Sequence, residues 1–190
     1  EILRCLVGSE MSIRDRDGQI VMLNPGHCGG ALEIANILRG EDGCGKDLII
    51  AEAGDLMYGC RSYEVGNILH TGLKVHVPVA TLPASDIDRL MKVLGPIFPC
   101  LQPAANVLET SLNNSNPISH GPLALFNITR MENGEDFLLF GTGVTPRVAR
   151  FMEKIDRERV AVVRACGVSA PTELEMLNSF WPEPQESLYN

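Results

Sequence analysis

The chain has 190 residues, 16 Lys and Arg against 24 Asp and Glu, and a formal net charge of -8, with 45% apolar and 21% charged residues. That balance belongs to a folded globular protein rather than a disordered one. The negative charge repels phosphate backbones and anionic lipid, so neither nucleic acid nor a membrane is an expected partner. The six cysteines, at positions 5, 28, 44, 60, 100 and 166, form no CxxC pair and sit in no His/Cys cluster. No metal site is expected, and the dispersed thiols fit a reducing cytoplasm. No apolar run reaches the ~18 residues of a membrane span. The opening run EILRCLVGSE lacks the basic-then-apolar pattern of a secretory signal, and it enters apolar sequence with no initiator Met, which suggests that something precedes it.

The first half alternates strand and helix signals. After a turn at Asp17-Gly18, residues 20–23 form a short apolar run that Asn24-Pro25-Gly26 breaks, and residues 31–38 then repeat apolar positions at helical spacing. Gly40, Gly43 and Gly45 make a second break; residues 48–51 predict a buried strand, and residues 75–79 a third strand after a turn at Thr71-Gly72. Strands interleaved with helices predict an α/β sheet with parallel strands.

From residue 85 the periodicity is helical. Residues 86–94 predict a helix, and Pro96, Pro99 and Pro103 mark a boundary between two domains, residues 1–99 and 100–190. Helices are then predicted over residues 104–114 and 122–131, with a Gly-rich connector at 133–144 that carries a strand-like stretch at 137–140. The clearest element follows Thr145, a good N-cap with Pro146 behind it. Val148, Phe151, Met152, Ile155, Val162, Val163 and Cys166 recur at steps that give one core-facing stripe, and Gly167 supplies the stop.

Two short patterns carry no function. GEDGCGKD at residues 40–47 nearly matches a phosphate-binding loop, but it ends in Asp47 instead of a hydroxyl and precedes a strand rather than joining strand to helix. Asn127-Ile128-Thr129 matches a glycosylation acceptor inside an apolar helix of a chain with no secretory signal.

Two clusters can carry chemistry. The turn NPGHCGG, residues 24–30, sits at the carboxyl end of a strand, where open α/β sheets place ligands; Gly29 and Gly30 allow close backbone approach, although any tight strand-to-helix turn uses such glycines. His27 within it is expected to be an exposed turn residue. The second cluster is NVLETSLNNSNPISHGPLALFN, residues 106–127. Pro117 and Pro122 predict a break in the helix there, leaving His120 on a constrained joint beside Asn113, Asn114 and Asn116. An imidazole that titrates near neutrality among amides suits proton transfer to an oriented polar substrate, while a capping or packing role is the alternative.

The stretches NPGHCGGALEIANIL, IAEAGDLMYGCR, NVLETSLNNSNPISHGPLALFN and GVTPRVARFMEKIDRERVAVVRACGV, in this order, resemble the octopine/opine dehydrogenase family. The resemblance implies an α/β then all-α architecture: the C-terminal part of a Rossmann-type sheet domain joined to the start of a helical substrate domain. It implies an NAD(P)-dependent oxidoreductase that condenses the amine of an amino acid with a 2-oxo acid and reduces the product with NADH or NADPH. His120 would be the acid/base residue, Asn24, Pro25, Gly26, Gly29 and Gly30 would approach the cofactor near its nicotinamide end, and Asn113 and Asn116 would order the substrate region. Two family features have no counterpart here: the GxGxxG turn that holds the pyrophosphate, and the Arg followed five residues later by the Asp that pairs with the catalytic His. The expectation is therefore an enzyme seen in part, completed by a second polypeptide piece or a homodimer partner. A non-catalytic relative serving as a binding or dimerisation module is the alternative.

Overall fold

The computed structural model describes residues 16–41, 43, 45–180 and 183–189. The opening run with Cys5, and Asp42 and Cys44 of the GEDGCGKD segment, lie outside the described residues. Strand β1 (Ile20–Leu23) leads through the 24–30 turn into helix α1 (Gly30–Arg39) and then β2 (Ile49–Ala53). A two-stranded hairpin, β3 (Tyr58–Glu64) and β4 (Asn67–Leu73), precedes β5 (Val77–Leu82), a short 3-10 turn, α2 (Ile87–Leu94) and β6 (Leu101–Pro103). Helices α3 (Val107–Leu112), α4 (Asn116–Phe126), α5 (Ile128–Glu132), α6 (Pro146–Ala165) and α7 (Glu173–Phe180) complete the chain. The expected α/β part followed by an all-α part is what the structure contains.

The main sheet has the order β1-β2-β5-β6. It is mixed, not parallel throughout as expected: β1 and β2 are parallel, as are β5 and β6, but β2 and β5 run antiparallel, with Ile50 opposite Leu82 and Ala53 opposite Val79. The reason is the hairpin, which turns the chain back toward the sheet so that β5 enters beside β2 from the opposite end. The turn expected at Thr71-Gly72 lies inside β4, and the real reversal is at Val65-Gly66, where Gly66 has φ 83.

Every residue of β2 is buried, because both faces of the sheet are covered. Side chains alternate along a strand, so Ile49, Ala51 and Ala53 join Val77, Val79 and Leu101 against Leu90 of α2, while Leu48 and Ile50 meet Ala31 and Ala35 of α1 and Val107 of α3 on the other face. Leu90 is fully enclosed, and truncating such a leucine to Ala costs about 2–5 kcal/mol.

The proline-marked junction is not a bare linker: Pro103 belongs to β6, so the sheet ends after it rather than before residue 100. Helix α3 starts where its cap allows. The Asn106 side chain accepts from the Leu108 and Glu109 amides while the Glu109 carboxylate accepts from Ala105 N, a reciprocal box that fixes the start three residues past the expected one. Helix α6 keeps its expected limits: the Thr145 hydroxyl accepts from Val148 N at 3.3 Å, Pro146 stands in the first turn, and Gly167 has φ 75. Its buried stripe is Val148, Ala149, Met152, Asp156, Val160 and Val163, whereas Phe151, Val162 and Cys166 of the expected stripe are exposed. The strand-like stretch at 137–140 is a turn, since the Leu138 carbonyl accepts locally from Gly141 N and Gly143 N.

Helix α4 departs most from expectation, running through Pro122 without a break. Pro117 opens it with a pre-set φ, and Gly121 has no Cβ to clash with the ring of Pro122, which removes one of the costs of a proline inside a helix. His120 therefore stands mid-helix, not on a joint. Ile118 and Leu123 of the same helix pack on Val148 and Met152 of α6 and form the helical core.

Candidate active site

Glu52, the last polar residue one would place in a fully buried strand, organises the first cluster. Its carboxylate accepts from Ala31 N at 3.0 Å and from the hydroxyls of Thr110 and Ser111, both at 2.6 Å. Burying a charge without such partners is prohibitive; with them, it ties β2, the start of α1 and helix α3 into one unit. Ser111 extends the tie, its hydroxyl oxygen accepting from Gly29 N at 3.1 Å and its carbonyl from Cys28 N at 3.5 Å.

The turn itself is tightly wound. Residues His27, Cys28 and Gly29 have φ of 35, 50 and 91, and this left-handed run aims successive amides inward. Gly26 is a packing requirement: a Cβ there would stand 2.4 Å from the Cβ of Glu52. A Cβ on Gly29 would meet nothing, but its φ disfavours any side chain. Gly30 is the first residue of α1 and lies against Leu23; Asn24 is exposed and Pro25 half-buried.

His27 is half-buried rather than exposed as expected. Its Nδ1 is buried with no partner among the described residues, and its Nε2 lies 3.5 Å from the side-chain amide of Asn116. Burial holds its pKa below the usual histidine value, against the pull of Asp55 and Glu52. This contact joins the two sequence clusters: Asn116 meets the turn at His27, and Asn114 donates to the Cys28 sulfur at 3.4 Å.

Asn113 points elsewhere. It donates to the Ser169 carbonyl at 2.8 Å and accepts from Arg159 at 2.7 Å, so it braces α3 against the α6–α7 connection. Arg159 also bonds Asp156 and the Pro171 carbonyl.

Asn116 and His120 open on a cavity of about 550 Å³, within the size range of small-molecule sites. Ser119 lies between them in sequence, with its hydroxyl 3.1 Å from His120 Nδ1, and the ring of Phe140 meets the imidazole edge-on at 5.1 Å between centroids. Asp55, Lys74 and Glu173 also line this cavity. Lys74 is ion-paired with Asp55 and lies 4.2 Å over the Phe180 ring. Glu173 is 1% exposed, its Oε2 has no partner among the described residues, and burial, reinforced by the charge of Asp156, pushes its carboxyl up to about 8.

Sequence reasoning did not single out Glu52, Asp55, Lys74 or Glu173. A signal existed for Glu52: an acidic residue inside the otherwise apolar run IIAEA has to be satisfied internally. The others are brought together by the hairpin and by α7, which local sequence does not reveal.

The alpha-helical domain of NAD/NADP octopine/nopaline dehydrogenases matches residues 103–190. An opine dehydrogenase from Arthrobacter sp. (strain 1C) is 34% identical over 173 residues, covering 91% of this chain and 48% of that protein. Apo yersinopine dehydrogenase superposes with a TM-score of 0.70 at 17% identity, over 85% of this chain and 41% of that one. Octopine dehydrogenase in complex with NADH and agmatine gives 0.57 at 16% identity, over 90% and 46%. The chain is thus similar to the octopine/opine dehydrogenases, matching their alpha-helical domain over residues 103–190, and it spans about half the length of the relatives it matches.

Proposed function

We propose that the chain supplies the catalytic wall of an NAD(P)-dependent opine dehydrogenase, which condenses the amine of an amino acid with a 2-oxo acid and reduces the resulting imine. The observation that carries this reading is the meeting of the two clusters: Asn116 touches His27 of the turn and lines the same cavity as His120.

The fit to the cofactor is selective. The amides of Cys28, Gly29, Gly30 and Ala31 are all taken up within the protein, by Ser111, His27 and Glu52, so this helix start offers nothing to a pyrophosphate. Polar groups on this side include the exposed side-chain amide of Asn24 and that of Asn116, which meets the ring of His27. Amide groups suit the carboxamide of a nicotinamide, with Pro25, Gly26, Gly29 and Gly30 shaping the surface it approaches. NAD(P)H bound there would supply the hydride.

His120 handles the proton. With Ser119 at Nδ1, Nε2 is the nitrogen free to exchange with a ligand. It takes a proton from the substrate ammonium so that the amine can attack the carbonyl carbon, and returns one to the hydroxyl that leaves as water. Asn116, one turn earlier on α4, orients the reacting groups. Asn113 contributes through the frame, by holding α3 against Arg159.

The test is NAD(P)H oxidation by the protein as its cell makes it, with a 2-oxo acid and a panel of amino acids. Oxidation requiring both substrates is expected. Oxidation with the 2-oxo acid alone would replace this reading by a simple 2-oxo acid reductase.

A further inference from the structure

We propose that Lys74, held by Asp55, is a carboxylate anchor of the His120 cavity, taking the carboxylate of an amino-acid or 2-oxo-acid ligand. The inference deepens the function proposed above and rests on it for the ligand class. A condensation of two carboxylic acids has two anionic groups to hold near one imidazole, and Lys74 is the one Lys or Arg among the described residues lining this cavity.

Lys74 has the features of a built site. It is 9% exposed although lysines are seldom buried. Its stem is fixed where β4 has just ended, with the Lys74 amide donating to the Met57 carbonyl at 3.0 Å. The ammonium carries three donors; Asp55 engages it on one side and the Phe180 ring covers it on another, 4.2 Å from the centroid. No further acceptor for it stands among the described residues. Asp55 in turn is committed: its Oδ1 accepts from Leu56 N at 2.6 Å while Oδ2 faces Lys74. The pair offsets its own charge, which lets a cation stay buried before a ligand arrives.

The rest of the wall does not oppose an anion. Glu173, the other acidic side chain on the cavity, holds its proton up to about pH 8 because it is buried beside Asp156, so at neutral pH it adds no negative charge. The neutral amide of Asn116 and the hydroxyl of Ser119 line the same cavity. A carboxylate on Lys74 would lie in the cavity that His120 also lines.

The experiment compares pyruvate with pyruvamide, which has the same shape but no charge, by calorimetric or NMR titration of the purified protein. Wild type should bind pyruvate about 10- to 100-fold more tightly, the scale of one charge-assisted contact. Lys74→Met by itself would leave Asp55 buried and unpaired, so the informative variant is the double substitution Asp55→Asn with Lys74→Met, checked for folding by thermal unfolding. It should bind both ligands alike, and Lys74→Arg should restore the preference for pyruvate. A folded double variant that keeps the preference, or a wild type that shows none, overturns the proposal. The outcome is separate from that of the function reading: loss of preference in the variant sustains Lys74 even if no amino-acid-dependent oxidation is found, and dual-substrate oxidation sustains the function even if the preference is unaltered.

Discussion

The 24–30 turn and the cavity next to it both lean on the 106–127 block but solve opposite problems. In the turn, each backbone N–H from Cys28 to Ala31 has a partner, and the buried Glu52 carboxylate collects three donors. In the cavity, polar groups are left over: the Glu173 Oε2 has no partner among the described residues, and His120 is exposed, with the Ser119 hydroxyl at its Nδ1 and the Phe140 ring against its edge. The first region spends its polar groups on shape. The second keeps them for a ligand. Substitutions in the two regions should therefore separate into stability effects and activity effects.

The largest separation is expected at His120. His120→Ala should lower turnover by about 10²- to 10⁴-fold, the range for one acid/base residue, while the melting temperature moves little because the side chain is exposed. Near-normal turnover with a melting temperature several degrees lower would assign it a packing role instead.

Glu52→Ala should do the reverse. It strands the Ala31 amide and the Ser111 hydroxyl in a buried site and leaves the Thr110 hydroxyl with the Val107 carbonyl alone, costing about 3–5 kcal/mol, or roughly ten degrees in melting temperature for a domain of this size. Thermal unfolding checks it, and hydrogen exchange should show the Gly29 and Ala31 amides losing protection before those of β5. An unchanged melting temperature would mean that the turn is held by something other than Glu52.

Glu173 tests the boundary between the regions. Its folded pKa, about 8, lies above the ordinary 4.5, so the folded state keeps a proton that the unfolded chain releases. Stability is then greatest below pH 4.5 for this group and falls as pH rises from about 4.5 to 8. Glu173→Gln, which mimics the protonated form, should flatten this fall and gain on the order of 2–4 kcal/mol over wild type at pH 8. Parallel pH profiles for the two proteins would contradict it.

The smallest effect is expected at Asn113, the frame residue. Asn113→Ala removes the contacts to Ser169 and Arg159 and should cost about 1–2 kcal/mol, with turnover per folded molecule nearly unchanged. A large loss of turnover would return Asn113 to the substrate region.

Local signals made much of this fold legible. β1, α1, β2, α2 and α6 announce themselves through period, caps and glycines, as with Thr145, Pro146 and Gly167 around α6. What stayed hidden depends on distant pairing. The antiparallel entry of β5 follows from a hairpin whose register shifts twice, between Gly59 and Cys60 and between Ser62 and Glu64, which blurs the alternation a strand prediction needs. Pro122 misled for a related reason, since a break rule cannot see the packing of Ile118 and Leu123 that carries α4 past the missing donor. At the site, the turn, Asn116 and His120 could be named from sequence, whereas Lys74 and Glu173 could not. They lie 46 residues before and 53 after His120 by their positions and reach its cavity only because β4 ends and α7 begins there.

The hairpin hangs from a closed neck. The chain leaves the main sheet after Ala53 and returns at Val77, and between those points Gly54 N bonds the Pro78 carbonyl at 2.8 Å, Lys74 N bonds the Met57 carbonyl at 3.0 Å, and Asp55 pairs with Lys74. Closing a loop costs entropy that grows only slowly with its length, and here the neck bears that cost regardless of what hangs beyond it. The hairpin is therefore a replaceable module. Its tip at Val65-Gly66 can be lengthened, shortened or exchanged without re-registering β2 against β5, and its base, through Tyr58, Gly59 and Cys60 on the cavity rim, is where such an exchange would alter which molecules enter.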